Sequence, residues 1–367
     1  LGGVAGFNKG TIQMSGSNVT SEVMNGVTSD TDIETLADNA SASDKGNLQA
    51  DTTYVTWNDG QDDIENLTYK GTGSGTNVKP GKKISAGRLK MVVSSNGNIG
   101  GITAYNGTKG EVEYCVSGNW FLENKSEAIG VGTGGIIGMN ESEKDLSYLV
   151  NGAFVGRKLG GDGATNRFAG GIIGNQNNSK NNEWTISKCI NYGTVYCYKT
   201  HYSGGIMGQW TGTGGNIEEC RNYGMLQTTY GTDWVGASAG IVAQLYHAYE
   251  NYEYNIVKWG NYGSIYTKNG EDASDRGGAN DSAGILGNIT TYTVSSQSEA
   301  PKFTVQILNC VNAPGVKIYS GSMASGIFGY LSCDNPSNTT IPVSTANTVI
   351  RIERCSNYAQ VLKGFRY

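Results

Sequence analysis

Two acidic segments of this chain come nearest to a catalytic pattern. The first contains Asp59, Asp62 and Asp63 in the sequence NDGQDD, and the second is residues 271–275 (EDASD), followed by Asp281. Inverting glycoside hydrolysis needs two carboxyl groups about 6.5–9.5 Å apart on either side of the scissile bond. Both segments are rich in Gly, Ser and Asn, and the chain lacks the Gly-His-Gly sequence of polygalacturonases. Solvated acidic loops are therefore the favoured interpretation.

Metal chemistry has one candidate site. The oxygen atoms of Asp59, Asp62 and Asp63 suit a hard cation such as Ca²⁺, although their spacing is not that of an EF-hand. The chain has seven cysteines, no Cys-x-x-Cys and only two histidines, His201 and His247. A zinc site is not indicated by that set. We expect no cofactor, with Ca²⁺ as the alternative.

Aromatic side chains are the stronger candidates for binding. Tyr246, Tyr249, Tyr252 and Tyr254 crowd into nine positions outside any repeated motif. Exposed aromatic rings stack on sugars and anchor protein partners. These four tyrosines are the candidate ligand-binding residues for a glycan or a protein.

The net charge and the lack of a long apolar run argue against two classes of partner. The chain has 27 Lys and Arg against 32 Asp and Glu, a net charge of −5, and no basic cluster. Nucleic-acid binding needs a positive patch. No run approaches the roughly 18 apolar residues of a membrane helix. We therefore expect neither nucleic-acid binding nor membrane insertion.

A glycine-rich apolar segment recurs eight times and determines the predicted architecture. We call it the Gly pentad, after Gly134-Gly135-Ile136-Ile137-Gly138. Its second small residue recurs at intervals of 98, 34, 36, 34, 35, 44 and 42 residues: Gly3, Gly101, Gly135, Gly171, Gly205, Gly240, Gly284 and Gly326. Self-similarity at this period indicates a stacked repeat architecture.

A second motif follows each pentad after a variable polar stretch. We call it the Cys-x-Asn motif, after Cys189-Ile190-Asn191-Tyr192-Gly193, and a segment of alternating polarity precedes it. Alternation is typical of a half-buried strand. We predict three strands per repeat: the pentad, the alternating run ending at Cys, and the segment after Asn-Tyr-Gly. Pairing between repeats then makes an all-β parallel β-helix of about seven to eight coils.

Each repeated position predicts a column inside this solenoid. The aliphatic residue after the two glycines is expected to form a core column, and the cysteines a column of buried thiols. The motif asparagines are expected either to form a hydrogen-bonded ladder or to adopt left-handed backbone angles. Four tyrosines share one slot and predict a stacked ladder: Tyr192, Tyr223, Tyr262 and Tyr358.

The repeat is interrupted in three places. Residues 1–12 form the first repeat motif, residues 13–98 are either an insertion or degenerate coils, and residues 99–367 are the repetitive solenoid. Two later repeats are lengthened, around residues 268–281 and near Asn335. Insertions in solenoids commonly collect on one face, which is often the binding face.

The first repeat resembles the GLUG repeat of bacterial surface proteins. The resemblance rests on residues 2–12, GGVAGFNKGTI, and on the later copies of both motifs, although those copies replace the Asn-x-Gly turn with longer loops. It implies arrays in large secreted, adhesin-like proteins.

Three functions follow as expectations. The first is a noncatalytic, extracellular stalk or adhesin segment that binds host or environmental glycan or protein. The second is a carbohydrate-active β-helix enzyme, and the third is a subunit that self-associates end to end into a filament. Fold alone does not choose among them.

Overall fold

The computed structural model describes residues 1–19, 90–94, 96–118, 121–125, 130–156, 168–178, 184–198, 202–212, 214–230, 236–247, 252–269, 280–292, 303–321, 323–334 and 348–363. Within these ranges the secondary structure consists of β-strands, and every strand pairing is parallel. The chain is a parallel β-solenoid, which confirms the predicted fold class.

The strands fall into successive groups, each beginning at the fourth residue of a Gly pentad. The first two groups are β1 (Ala5–Asn8), β2 (Thr11–Gln13), β3 (Gly16–Ser17), β4 (Lys90–Val93), β5 (Ile99–Gly100), then β6 (Thr103–Asn106), β7 (Glu111–Ser117), β8 (Phe121–Asn124) and β9 (Gly132–Gly134). The next two are β10 (Ile137–Asn140), β11 (Leu146–Asn151), β12 (Phe154–Gly156), β13 (Phe168–Gly170), then β14 (Ile173–Asn178), β15 (Thr185–Ser187), β16 (Ile190–Asn191), β17 (Val195–Tyr198) and β18 (Tyr202–Gly204).

Four further groups complete the described strands. They are β19 (Met207–Gly212), β20 (Gly215–Glu218), β21 (Arg221–Asn222), β22 (Leu226–Tyr230), β23 (Gly236–Ala239); β24 (Val242–His247), β25 (Tyr252–Val257), β26 (Gly260–Asn261), β27 (Ile265–Asn269), β28 (Asn280–Ala283); β29 (Leu286–Tyr292), β30 (Phe303–Leu308), β31 (Val311–Asn312), β32 (Lys317–Ser320), β33 (Met323–Ser325); and β34 (Phe328–Asp334), β35 (Thr348–Glu353), β36 (Ser356–Asn357), β37 (Gln360–Lys363).

These strands build four sheets that the chain visits in a fixed order. Sheet I has eight strands and runs from β1 to β34, and sheet II has fourteen and includes β7, β11, β15 and β16. Sheet III has eight strands, from β4 to β37, and sheet IV has seven, from β5 to β33. Each coil runs through sheets I, II, III and IV, and the next pentad returns it to sheet I.

The Gly pentad is a corner between two sheets rather than a strand. Gly134 ends β9 in sheet IV, Gly135 and Ile136 turn, and Ile137 begins β10 in sheet I. The amides of Ile136 and Ile137 both donate to the carbonyl of Ile172 in the next coil, at 3.0 and 2.9 Å. The prediction that the pentad is one strand is wrong. In a regular strand two consecutive amides point to opposite sides, whereas here both donate to the same carbonyl of the neighbouring coil, so the chain turns at this point.

Apolar side chains fill two long cores. The larger core lies between sheets I and II and contains Ile137, Leu146 and Ile186, while the second lies between sheets III and IV and contains Val155 and Ala169. The predicted aliphatic column is confirmed, since six of its members are 0% exposed: Ile102, Ile136, Ile172, Ile206, Ile241 and Ile285. Val4 and Ile327 occupy the same position in the outer coils, where Val4 is exposed and Ile327 is half-buried.

The interval 13–98, predicted as an insertion or as degenerate coils, contains solenoid strands at both of its ends. Strands β2 and β3 pair with β7, and β4 pairs with β8, so all three occupy regular positions in the stack. The solenoid therefore extends past residue 12 to Ser17 and is present again from Lys90. Residues 20–89 lie outside the described part of the chain.

Candidate functional site

The two repeated motifs meet in space at one structural column. In successive coils the side chains of Asn151, Asn191 and Asn222 each pack against the second glycine of the pentad. The Asn191 Nδ2 donates to Asn222 Oδ1 at 2.9 Å and to the Gly193 carbonyl at 2.9 Å. Its Oδ1 accepts from the Gly193 amide at 3.1 Å and from Asn151 Nδ2 at 2.9 Å. All four bonds of this buried amide are made, which leaves nothing for a ligand.

This ladder confirms one of the two roles predicted for the motif asparagines. It continues through Asn261, Asn312 and Asn357 at 3.0–3.2 Å. A second amide ladder, which the sequence did not predict, links Asn8, Asn106, Asn140 and Gln176 at 2.6–2.8 Å. The Asn-x-Gly sequence of the first repeat could have predicted this ladder, because the Asn8 Oδ1 accepts from the Gly10 amide at 3.0 Å.

Left-handed backbone angles occur one residue before the cysteine slot of the motif, not at the motif asparagine. The slot holds Cys in five coils and Ser15, Leu149 and Trp259 in the others. The eight residues that precede it have φ between 49° and 59°: Met14, Tyr114, Tyr148, Lys188, Glu219, Lys258, Asn309 and Arg354. The break resets the alternation of the strand, so that Ile186 and Cys189 both face the core. The prediction of left-handed backbone angles at the motif asparagine is therefore wrong. The left-handed residue is the one before the cysteine slot, and it directs the cysteine side chain into the core.

The cysteines form the predicted column of buried thiols. Cys115, Cys189, Cys220 and Cys310 are buried and not disulfide-bonded, and Cys355 in the same column is partly exposed. Trp259 takes the place of cysteine between Cys220 and Cys310 and donates from its indole nitrogen to the Ile217 carbonyl at 2.7 Å. Burial raises the pKa of the Cys220 and Cys310 thiols, so neither is an activated nucleophile.

Three of the four motif tyrosines form the predicted ladder. The rings of Tyr192 and Tyr223 stack at 5.3 Å between centroids, and those of Tyr223 and Tyr262 at 4.7 Å. Tyr358 is outside this stack because Ala313 fills the intervening slot, and it is 62% exposed. The stacked rings lie on the face of sheet II that is opposite to the larger core, beside Val150 and Ile190.

The four candidate ligand-binding tyrosines have different environments. Tyr254 is 0% exposed, donates from its hydroxyl to the Gly212 carbonyl at 2.7 Å and packs edge-on against Trp210. It is a core residue, and its predicted contact with a surface ligand is wrong. Tyr252 is half-buried against the same core, and Tyr246 is half-buried near the end of β24. Tyr249 lies outside the described residues.

The tyrosines Tyr246 and Tyr252 flank a corner between sheets I and II. Strand β24 ends in sheet I and β25 begins in sheet II, with residues 248–251 between them. The two lengthened repeats attach at different corners. Residues 270–279 connect sheet III to sheet IV, whereas residues 335–347 connect sheet I to sheet II. The described strands that flank the two segments therefore belong to different pairs of sheets, and the segments themselves lie outside the described residues.

Asp281 is the described acid of the second acidic segment, and it lies inside the structure. Its side chain is 0% exposed on β28, between Ala237 and Met323 of the neighbouring strands. Burial raises the pKa of this carboxyl to about 7, against a smaller lowering by the Asn288 side chain. A carboxyl with a pKa of about 7 is about half protonated at pH 7 and has the chemistry of a general acid or base, but its strand neighbours supply no second carboxylate.

The proposed calcium ligands Asp59, Asp62 and Asp63 lie outside the described residues. Among the residues that are described, no three His, Cys, Asp or Glu side chains group together as a metal site. His201 is not described, and His247 ends strand β24. The Glu219 carboxylate lies at the surface, where it pairs with Lys258 at 3.0 Å.

Two broader observations complete the site description. In the described part of the chain, no helix is long and apolar enough to cross a membrane. Comparison of the chain with protein-family models, with curated proteins and with solved structures finds no match.

Proposed function

We propose that this chain is a noncatalytic, extracellular repeat scaffold of a bacterial surface protein, serving as a stalk or adhesin segment. One observation carries the proposal: the repeated residues are occupied by structural contacts. The motif asparagines bond to each other, the pentad glycines pack against them, and the motif cysteines are buried except for the partly exposed Cys355. A repeat used in this way extends the molecule by one coil and places its repeated side chains in structural contacts. The cellular location rests on the resemblance to GLUG repeats.

Adhesion to a glycan or protein would depend on residues outside the repeated columns. Tyr246 is the best described candidate, because it is half-buried and its strand leads into the I–II corner. Aromatic rings at such positions stack on sugar rings or insert into a protein partner. The outer-coil Tyr358 and the ladder tyrosines belong to the repeat and are not proposed as ligand contacts.

A binding screen with matched tyrosine variants tests the adhesive role. The purified chain is applied to arrays of glycans and host extracellular proteins, together with Tyr246→Ala and Tyr266→Ala. Tyr266 is also half-buried but lies in sheet III, on another face. We expect at least about tenfold weaker binding for Tyr246→Ala, the loss of roughly 1.4 kcal/mol, and unchanged binding for Tyr266→Ala. Equal loss in both variants would contradict a site at this corner, and absence of any binding would leave the stalk role.

The alternative of a carbohydrate-active enzyme has a separate test. It requires carboxylates from different coils to converge on a cleft. Incubation with a panel of acidic and neutral polysaccharides, followed by measurement of new reducing ends and of unsaturated products, would detect a hydrolase or a lyase. Turnover that is lost in Asp62→Asn would overturn the noncatalytic proposal.

A filament subunit is the second candidate function, and it would use the apolar surface of the outer described coils. Of the large hydrophobic residues that are exposed in the described structure, all but one lie in the first and last groups of strands: Leu1, Val4, Phe7, Met14, Val92, Tyr330, Val349, Ile352, Tyr358, Val361 and Leu362. The exception, Met323, lies on β33, the edge strand of sheet IV. Strands β35, β36 and β37 each pair on one side within the described stack. Such edges pair with a further strand when one is presented.

End-to-end association predicts a mass that rises with protein concentration. Light scattering after size exclusion, between about 1 and 100 µM, measures it. Val349→Lys and Ile352→Lys place charges on the outer strand β35 and should shift the population to monomer. A monomer at every concentration would exclude self-association of this chain.

A further inference from the structure

The thiol column contains two pairs of adjacent cysteines that differ in accessibility. Cys310 and Cys355 precede the register-matched residues Val311 and Ser356, and Cys189 and Cys220 precede Ile190 and Arg221. In both pairs the amide after the later cysteine donates to the carbonyl of the earlier one at 2.9 Å. The two cysteines of each pair are therefore direct neighbours on parallel strands.

We propose that Cys310 and Cys355 are a disulfide-forming site that covalently joins the outermost described coil to the coil beneath it. Neighbouring strands lie about 4.8 Å apart, within the 4.4–6.8 Å range of Cα separations in disulfides. The two thiols take matching positions, because each donates to the carbonyl two residues earlier, Leu308 and Glu353, at 3.3 Å. The side chains thus lie on the same side of the sheet, one above the other.

The packing around each pair makes the two pairs unequal. A disulfide needs Cβ atoms about 3.5–4.5 Å apart, so the strands must approach by a few tenths of an ångström. Cys355 is partly exposed and lies on an outer strand, whereas Cys189 and Cys220 are 0% exposed. Trp259, packed beyond Cys220, and Leu149, packed beyond Cys189, hold the inner pair between filled coils. An oxidant can reach Cys355 without opening the solenoid.

The oxidation balances with a small disulfide as the oxidant. The Cys355 thiolate attacks one sulfur of RSSR, which forms a mixed disulfide and releases one RSH after protonation. The Cys310 sulfur then attacks the Cys355 sulfur, its proton passes to the departing thiolate, and a second RSH leaves. Two thiols are oxidised to one disulfide, and one small disulfide is reduced to two thiols. Because burial raises the pKa of Cys310, the second step is expected to be the slower one.

Peptide mapping under native conditions tests the proposal. The protein is incubated with oxidised glutathione at pH 8, alkylated with iodoacetamide and digested with trypsin without reduction. The expected product is a peptide of residues 303–317 linked to residues 355–363, at least about tenfold more abundant than any link between Cys189 and Cys220. Cys355→Ser should abolish the product, and the matched Cys220→Ser should leave it unchanged.

The wild-type map decides the proposal even if a variant fails to fold. Persistence of glutathione on Cys355 without transfer to Cys310 would overturn it. Equal oxidation of both pairs, or a link formed only in urea, would also overturn it, because the outer pair would then have no advantage from its place in the native fold. In the cross-linked protein the Tm should rise, and reduction with dithiothreitol should reverse the rise.

Discussion

Gly171 lies directly against the side-chain amide of Asn191, twenty residues further along the chain. A methyl group added to Gly171 would collide with that amide and with the backbone carbonyl of Gly205 in the next coil. The two motifs that recur separately in the sequence therefore form one contact, repeated from Gly135 to Gly326, while Ser17 and Ser117 take the place of asparagine at Gly3 and Gly101. This contact explains why both motifs must recur with the same period.

Replacement of this glycine is expected to be costly. Gly171→Ala should lower the free energy of unfolding by about 1–3 kcal/mol, because an extra methyl in a packed interior forces neighbouring groups apart. Urea denaturation followed by circular dichroism measures the loss. The matched control is Gly6→Ala, where an added methyl meets no atom within 4 Å. A similar loss in both variants would show that the contact with Asn191 does not determine the effect.

The asparagine ladder makes a second prediction. Asn222→Ala leaves the Asn191 Nδ2 and the Asn261 Oδ1 each without one partner. Each unsatisfied buried group costs about 1–3 kcal/mol, so for the two groups we expect a loss of about 2–6 kcal/mol in urea denaturation. Asn255→Ala is the control, since Asn255 bonds to Asn216 at 2.9 Å on the outer, partly exposed face of sheet II. The prediction fails if the two variants lose equal stability.

The left-handed residues should prefer glycine to valine, which is the reverse of the preference within a strand. At Glu219, with φ of 54°, glycine should be tolerated and valine should cost about 1–2 kcal/mol, because a β-branched side chain clashes in this conformation. At the adjacent Glu218, within β20, valine should be the more stable of the two. Thermal unfolding of the four variants measures the order. The same order at both positions would contradict the kink described before Cys220.

Asp281 predicts a specific pH dependence of stability. Its pKa is about 7 in the folded chain, above the usual 3.8, so the folded state holds a proton that the unfolded state releases. Its contribution to stability is therefore complete below about pH 4 and is lost as the pH rises through about 7. Asp281→Asn should match the wild type near pH 4 and exceed it at pH 8 by a few kcal/mol, since one pKa unit corresponds to about 1.4 kcal/mol.

The measurement is urea denaturation between pH 4 and pH 8, with Glu218→Gln as a carboxylate control on the outer face of sheet II. That control should keep the wild-type decline in stability. If Asp281→Asn declines as steeply as the wild type, another group is responsible for the pH dependence.

The sequence by itself determined the architecture. Identical side chains at a fixed period can pack against or hydrogen-bond to each other only when successive coils are aligned in register. The aliphatic column, the buried thiols and the asparagine ladder follow from that rule, and the structure contains all three. The rule also predicted the tyrosine ladder as far as Tyr262, and failed at Tyr358 where Ala313 breaks the repetition.

The candidate binding residues were much less predictable, because they lie where the repeat does not apply. Tyr246 and Tyr254 are of one type in one aromatic run, yet Tyr254 is in the core because its strand position faces Trp210. The spacing of the tyrosines in the sequence does not show that Tyr246 and Tyr254 belong to different sheets, β24 in sheet I and β25 in sheet II, and so have different environments.

Only the tertiary structure decided where the backbone turns. The pentad is a corner because the carbonyl of Ile172 accepts from both Ile136 and Ile137 in the coil beside it. In a regular strand Ile186 and Cys189 would face opposite sides of the sheet. Both face the core, and the left-handed backbone of Lys188 makes this possible. Ser17 and Lys90 belong to the solenoid through pairing with strands β7 and β8. Each of these features depends on a neighbouring coil that local sequence does not specify.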